Sequence, residues 1–449
     1  MFKLDRMSSV DYAWRRMDSA SNLMVINAAL MFDGPLDLQR LRQTIAGRLL
    51  AYPRFRQRVV LRGRTPYWQE MAGFELDDHL QHHSLSQNWG RAELQHYLSG
   101  LAHEPLPEDR PLWQLHVLEN ADRSFAVVFR LHHCIADGIA LMDVIHQLTD
   151  AGQEEAERMS SYAVRGSDEG LAGAGGKWLR AARQTVETAK LGILLNDDQT
   201  LFKGTPGSEK QIVWSQRMSL AEVKAVARRH DSTINDVLCS AIGGALGAYL
   251  GEQGERPDVM VRAAMTFNLR DKRQAYQLGN DFGLVALNLH TGITDPLKRL
   301  QDAKARLQQL KASRQANATR AILGLAGRLP LMLQRFALNL FTNKGSLVIS
   351  NLEGPKTVRY LAGARMSDMV FWVPQTGNLG IGVSIISYAG NIQFGVFADR
   401  KLLPHPERFA ALCVEQFTQL AEAGRLRLLP QTMPVYPQAA RPTPVAAAA

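Results

Sequence analysis

The sequence predicts an α/β protein built from two similar-sized domains, and three observations carry that prediction. Residues 1–150 alternate between strand-like and helix-like apolar patterns. Residues 151–210 lose the pattern, and Gly166, Gly170, Gly173, Gly175 and Gly176 fall among serines and charged residues, as in a crossover linker. Strands and helices then resume over residues 211–429, before a proline-rich tail at 430–449 that is expected to be disordered. At ~100–200 residues per domain, a chain of 449 allows two large domains or three small ones.

The first domain opens on Leu23–Phe32, an apolar β-prone run ended by Asp33–Gly34–Pro35. Leu36, Leu41, Ile45 and Leu49 then recur at helical spacing across Leu36–Leu50. Trp113–Leu118 and Phe125–Leu131 read as strands joined by a turn at Asn120–Asp122, and Ile139–Leu148 as a helix. The crossover embeds a helix at Trp178–Leu195. The second domain starts with a strand at Gln211–Met218. Ser219 with Glu222 forms a capping-box pattern, and Thr233 caps a further helix running to Leu250. Strands at Val259–Phe267 and Phe282–Leu289 precede a charged amphipathic helix at Pro296–Ser313. Ala318–Phe341 is apolar, is broken by Pro330, and places Arg320, Arg328 and Arg335 on roughly one face. Short strands crowd Ser346–Ala398, and His405–Glu422 closes the domain as a helix.

Composition excludes several classes. Apolar residues at 46% and charged residues at 21% are globular values and argue against disorder. No run reaches the ~18 consecutive apolar residues of a membrane span. The N-terminus lacks the apolar core of a secretory signal. Cys134, Cys239 and Cys413 are too few and too far apart for a disulfide framework or a zinc site, so no metal is expected and a cytoplasmic setting fits. The net charge of +9 points to an acidic partner. Nucleic acid is disfavoured, since no basic cluster is interleaved with aromatic residues.

The segment richest in chemistry is His132–His133–Cys134–Ile135–Ala136–Asp137–Gly138, between an apolar strand and an apolar helix. Neighbouring side chains on a strand point to opposite faces, so one histidine faces a site and the other the interior. An imidazole can take a proton near neutral pH and so activate a hydroxyl. Asp137 holds the strand-to-helix turn by bonding backbone or pairing with a cation. Gly138 permits a tight turn or a close approach by substrate. A purely structural histidine pair is the competing reading.

This segment matches the HHxxxDG signature of the CoA-dependent acyltransferase superfamily, which includes chloramphenicol acetyltransferase and peptide-synthetase condensation domains. Pro111–Leu112–Trp113, Asn235–Asp236–Val237–Leu238, Ser350–Asn351–Leu352–Glu353–Gly354–Pro355 and the start Ser8–Asp18 narrow the match. Together, from Ser8 to about Leu403, they resemble the bacterial wax ester synthase/diacylglycerol acyltransferase family. The resemblance implies two chloramphenicol-acetyltransferase-like domains with a substrate tunnel between them. It implies fatty acyl transfer from acyl-CoA, a co-substrate and not a bound cofactor, to diacylglycerol or a long-chain alcohol. It makes His133 the general base, with His132 and Asp137 in support, and no thioester on Cys134.

Arg270 is expected to pair with Asp137, as an arginine at a comparable place does in related enzymes. Asn235 either bonds the thioester oxygen or a catalytic neighbour, or simply starts a helix, and Asp236 reads as part of the cap. Gly279–Asn280–Asp281 either resembles a family turn beside the tunnel or simply initiates a strand. Ser350 and Asn351 either line the tunnel or turn the chain. Leu352–Glu353 replaces the family's usual Val–Pro, which leaves substrate preference open. Ala318–Phe341 either packs in the second domain's core or lines the acyl tunnel, or it lies at a membrane or lipid-droplet surface. Alternative functions are the same fold acting on a polyketide alcohol, a glycolipid or an amine, or a non-catalytic homologue that binds CoA or lipid.

Overall fold

The computed structural model describes residues 4–19, 21–152, 196–270, 278–313 and 315–426. The crossover helix expected at Trp178–Leu195, most of the linker and the tail at 430–449 lie outside the described residues. In chain order the strands are β1 (Leu4–Arg6), β2 (Val25–Asp33), β3 (Gln57–Arg62), β4 (Thr65–Glu70), β5 (Leu80–Ser84), β6 (Trp113–Glu119), β7 (Phe125–His132), β8 (Lys210–Trp214), β9 (Met218–Ser219), β10 (Met260–Asn268), β11 (Phe282–His290), β12 (Leu347–Glu353), β13 (Tyr360–Leu361), β14 (Ala364–Trp372), β15 (Ile381–Tyr388) and β16 (Asn391–Asp399).

They form three sheets among the described residues. A six-stranded sheet runs β13-β14-β2-β7-β6-β5, a seven-stranded sheet runs β11-β10-β12-β15-β16-β8 with β9 also on β16, and a small sheet runs β1-β4-β3. The first sheet is antiparallel except where β5 pairs parallel to β6. In the second, β10, β12 and β15 run parallel. Helices Ile234–Glu252, Pro296–Ala312 and Pro406–Leu426 pack against one another and the second sheet, around a continuous apolar core. Ile234–Glu252 is long and apolar enough to cross a membrane, but 78% of its apolar window is buried inside the fold. A helix that is apolar all round belongs in a core when other elements cover every face.

The sequence boundaries hold for most elements and fail in instructive places. The helix expected at Leu36–Leu50 is α-helical over Leu38–Thr44 and widens into a π-turn at Ile45–Leu49. The strand expected at Gln211–Met218 is two short ones, β8 and β9. Pro330 splits Ala318–Phe341 into helices Gln315–Ala326 and Leu331–Thr342, because proline removes a backbone donor and clashes with the preceding turn.

The division into residues 1–150 and 211–429 needs a larger correction. β13 and β14 belong by sequence to the second half, yet they complete the first sheet, with Val370 opposite Ala29 and Phe371 opposite Ala28. The inner face of β14 is apolar, and β2 offers an unpaired edge that must be covered. The halves are thus interlocked, not merely tethered.

A buried charge reinforces the seam. The Lys210 ammonium donates to Asp399 Oδ2 at 2.7 Å, Asn22 Oδ1 at 3.0 Å and Gln375 Oε1 at 3.3 Å. These partners come from three separate stretches, so one cation ties the N-terminal segment to the second sheet. Burial pulls the Lys210 pKa down, and the bond to Asp399 opposes that pull without cancelling it. Lys210→Met would strand a fully buried carboxylate. The expected cost is about 3–5 kcal/mol, read as a lowered denaturant midpoint, because a buried charge without its partner is strongly destabilising.

Candidate active site

β7 ends at His132 and the chain turns at once into the helix Gly138–Leu148. Backbone bonds hold both histidines. The His132 amide donates to Leu112 O at 3.0 Å and the His133 amide to Met24 O at 2.7 Å. Their side chains then diverge. His132 lies in the interior, with Nε2 against Asp18 Oδ2 at 3.1 Å, while its Nδ1 takes the Cys134 amide proton at 3.1 Å. His133 lines two cavities at once.

The His133 ring is held on three sides. Trp14 stacks on it with centroids 4.4 Å apart and planes 11° apart, and Phe282 lies 5.5 Å away. Asn280 Oδ1 sits 2.9 Å from Nδ1. The Asn280 amide cannot be reversed, because its Nδ2 donates to Asp11 Oδ1 at 2.8 Å and to His133 O at 2.8 Å. Asn280 therefore presents its carbonyl oxygen, Nδ1 carries the proton, and Nε2 is the basic nitrogen. Asp11 is fixed in turn by the Asn280 backbone amide at 3.0 Å and by Arg54 at 3.5 Å. Burial drives the His133 pKa down to about 4, outweighing the bonds that favour its charged form. The ring is thus a neutral base at physiological pH.

Asp137 is the joint between the halves. Its Oδ1 caps the following helix by accepting from the Ala140 amide at 3.0 Å. Its Oδ2 accepts from Arg270 Nη2 at 2.8 Å and from the Asp281 amide at 2.9 Å. Arg270 also donates to Gly279 O at 2.8 Å. The pairing expected between Arg270 and Asp137 is present, and both side chains are buried. Gly279 has φ +113°, a conformation that side chains rarely adopt, and its turn delivers Asn280 to His133. Gly138 meets the Leu352 side chain and not open space, so its small size serves protein packing there.

The first cavity is lined by His133, Asp137, Gly138, Thr266, Asn268, Ser350 and Asn351, together with apolar side chains of β2, β7 and the helix Gly138–Leu148. Thr266 Oγ1 lies 3.3 Å from Ser350 Oγ. The second cavity is almost wholly apolar, between Trp14, Met17, Met24 and Leu284 on one side and Ile322, Leu323, Ala326 and Leu338 on the other. Thr266, Phe282, Val373 and Pro374 are common to both.

Other sequence candidates fall behind this surface. Asn235 is bonded by the Asn351 amide and reaches the first cavity only through it. Asp236 closes a capping box with Thr233, as expected. Pro111, Leu112 and Trp113 are buried beside β7, where β6 pairs with it, and line neither cavity. Trp113 donates its Nε1 proton to Phe55 O at 2.9 Å and stacks on His79 at 4.5 Å. The turn Gly279–Asn280–Asp281 is more than a strand start, since Asn280 orients the histidine. Trp14, Asp11 and Asp18 were legible only as a family-like N-terminus. No local pattern marks them as neighbours of a histidine more than a hundred residues away.

Residues 7–168 match the wax ester synthase/diacylglycerol acyltransferase catalytic domain, and residues 278–421 match the C-terminal domain of the same family. The chain belongs to this family. A probable diacylglycerol O-acyltransferase of Mycobacterium tuberculosis is 28% identical over 403 residues, covering 84% of this chain and 86% of that protein. The solved wax ester synthase/diacylglycerol acyltransferase of Marinobacter aquaeolei superposes with a TM-score of 0.70 at 19% identity, over 94% of this chain and all of that one. A trichothecene 15-O-acetyltransferase of Fusarium sporotrichioides gives 0.63 at 12% identity, over 94% and 95%. These structures share the two-domain fold of the condensation and chloramphenicol acetyltransferase type expected from the sequence.

The geometry of this wax ester synthase/diacylglycerol acyltransferase relative sets a pH test. A histidine base of ordinary pKa, about 6.5, would lose half its base form at that pH. With the His133 pKa at about 4, the base form persists, so kcat/KM is expected to stay flat from about pH 8 down to pH 5. Asn280→Asp sets a carboxylate against Nδ1, which favours imidazolium and is expected to bring an acid limb up into that range.

Proposed function

We propose that this protein transfers a fatty acyl group from acyl-CoA to the hydroxyl of diacylglycerol or of a long-chain alcohol, making triacylglycerol or wax ester. The observation that carries the mechanism is the neutral His133, with Nδ1 occupied by Asn280, at the junction of two cavities. Acyl-CoA, as co-substrate, presents its thioester in the first cavity. There the Asn268 amide and the Ser350 hydroxyl, both in the cavity lining, would donate to a developing oxyanion. The acceptor's hydrocarbon fills the second cavity, whose walls give it almost nothing polar to bond.

The acceptor hydroxyl gives its proton to His133 Nε2 as its oxygen bonds to the thioester carbon. The tetrahedral intermediate collapses, the carbon–sulfur bond breaks, and the CoA sulfur takes the proton from His133. Asp137 and Arg270 do no proton transfer in this scheme. They hold the turn that carries Asn280, and so act as positioning residues together with His132. The working location is the cytoplasm, where acyl-CoA is supplied.

A different acceptor on the same fold is the second reading, and Leu352 favours testing it. It closes over Gly138 and lines the first cavity where the family pattern has another residue. A matrix of acyl-CoA chain lengths against diacylglycerol, fatty alcohols and amines, followed by CoA release, decides between them. Diacylglycerol or a fatty alcohol is expected to give the highest kcat/KM. His133→Ala is expected to lose ~10²–10⁴-fold, the usual span for a general base. Full activity in that variant would refute the mechanism.

A further inference from the structure

The helices Gln315–Ala326 and Leu331–Thr342 have two faces with different environments. The inner face supplies Thr319, Ile322, Leu323, Ala326, Ala337 and Leu338 to the second cavity. The outer face leaves Leu325 60%, Leu331 39%, Met332 84%, Leu333 53% and Phe336 64% exposed. Leu4 and Leu61 are the remaining large apolar side chains exposed to this degree among the described residues. Five such residues within twelve positions form a patch, where isolated exposed leucines would need no explanation.

The patch is held in place and is not a frayed end. Arg16 donates to Ala326 O and Leu329 O, each at 2.9 Å, and Gln334 Nε2 donates to Ala13 O at 2.9 Å. These bonds fasten the helix pair to Ser9–Arg15, the helix whose Trp14 stacks on His133.

Charge selects the occupant. Residues 303–352 contain no aspartate or glutamate, while Arg328 and Arg335 stand exposed within the patch. A second copy of this face would meet arginine with arginine. An anionic bilayer instead offers apolar depth and negative headgroups together. We infer that the outer face of this helix pair docks on an anionic phospholipid surface and admits the acceptor lipid from it into the second cavity. The inference rests on the lipid-acceptor reading above and adds where that lipid enters. The apolar side chains sink below the headgroups, the arginines stay level with the phosphates, and the cavity wall opens toward the acyl region.

Cosedimentation of the full chain with phosphatidylcholine vesicles, with and without phosphatidylglycerol, tests this. Binding is expected to require phosphatidylglycerol. Met332→Ser with Phe336→Ser, and separately Arg328→Gln with Arg335→Gln, are each expected to weaken it by about tenfold or more. Neither pair lines a cavity, so CoA release with a short water-dispersed alcohol is expected to stay within about twofold of wild type. Turnover of vesicle-borne diacylglycerol is expected to fall with binding. Unchanged vesicle binding in both variants would overturn the inference, as would a dimer formed through this face in place of vesicle binding. Vesicle binding needs no turnover, so it fails separately from the acyltransferase reading, which falls if no acceptor releases CoA.

Discussion

The hydrogen bond between His133 Nδ1 and Asn280 Oδ1 is the contact on which the rest of the site depends. It spans 147 residues of sequence and joins the end of β7 to a turn of the second half. It also fixes the tautomer, and so leaves Nε2 as the basic nitrogen. Asp11 holds Asn280, and Arg270 and Asp137 hold the turn that presents it. Trp14 sets the tilt of the ring. The base is a property of two half-chains brought together, which explains why the fold invests in locking them. β14 adds to the first sheet, and Lys210 clasps the seam.

Burial makes this arrangement chemically useful. A solvated histidine near pH 7 is partly protonated. His133 is kept neutral because its surroundings offer little to stabilise a cation, and the bond to a neutral amide compensates only weakly. A carboxylate in the place of Asn280 would reverse that balance. The nearest carboxylate along the network is Asp11, separated from the ring by the amide it orients. The same exclusion of water suits an acyl thioester that must meet a hydroxyl and not solvent.

Much of this was legible in the sequence because it is local. Strand alternation, capping residues and Pro330 placed the elements, since each depends on neighbours a few residues away. The seven-residue segment His132–Gly138 drew attention through its residue types, its resemblance to a family signature made His133 the base, and alternation along the strand predicted different surroundings for the two histidines. What stayed hidden was long-range. Asn280 looked like a turn residue because its partner lies in the other half. Trp14 looked like one residue of a family-like N-terminal start. The residues of β14 looked like one more strand of the second domain, because nothing in a strand's own pattern names the sheet it will join. Pro111–Leu112–Trp113 showed the reverse case, a recognisable motif that is buried beside β7 at the start of β6 and lines neither cavity.

The mechanism requires His133 to be a neutral base with its proton on Nδ1 and its lone pair on Nε2. ¹⁵N NMR of the histidine-labelled protein, with His133 assigned by comparison with His133→Ala, reads that state directly. The expected result is a pyrrole-type Nδ1 and a pyridine-type Nε2 that do not titrate between about pH 8 and pH 5. A pyridine-type Nδ1, or a ring that becomes imidazolium near the ordinary pKa of about 6.5, would contradict it.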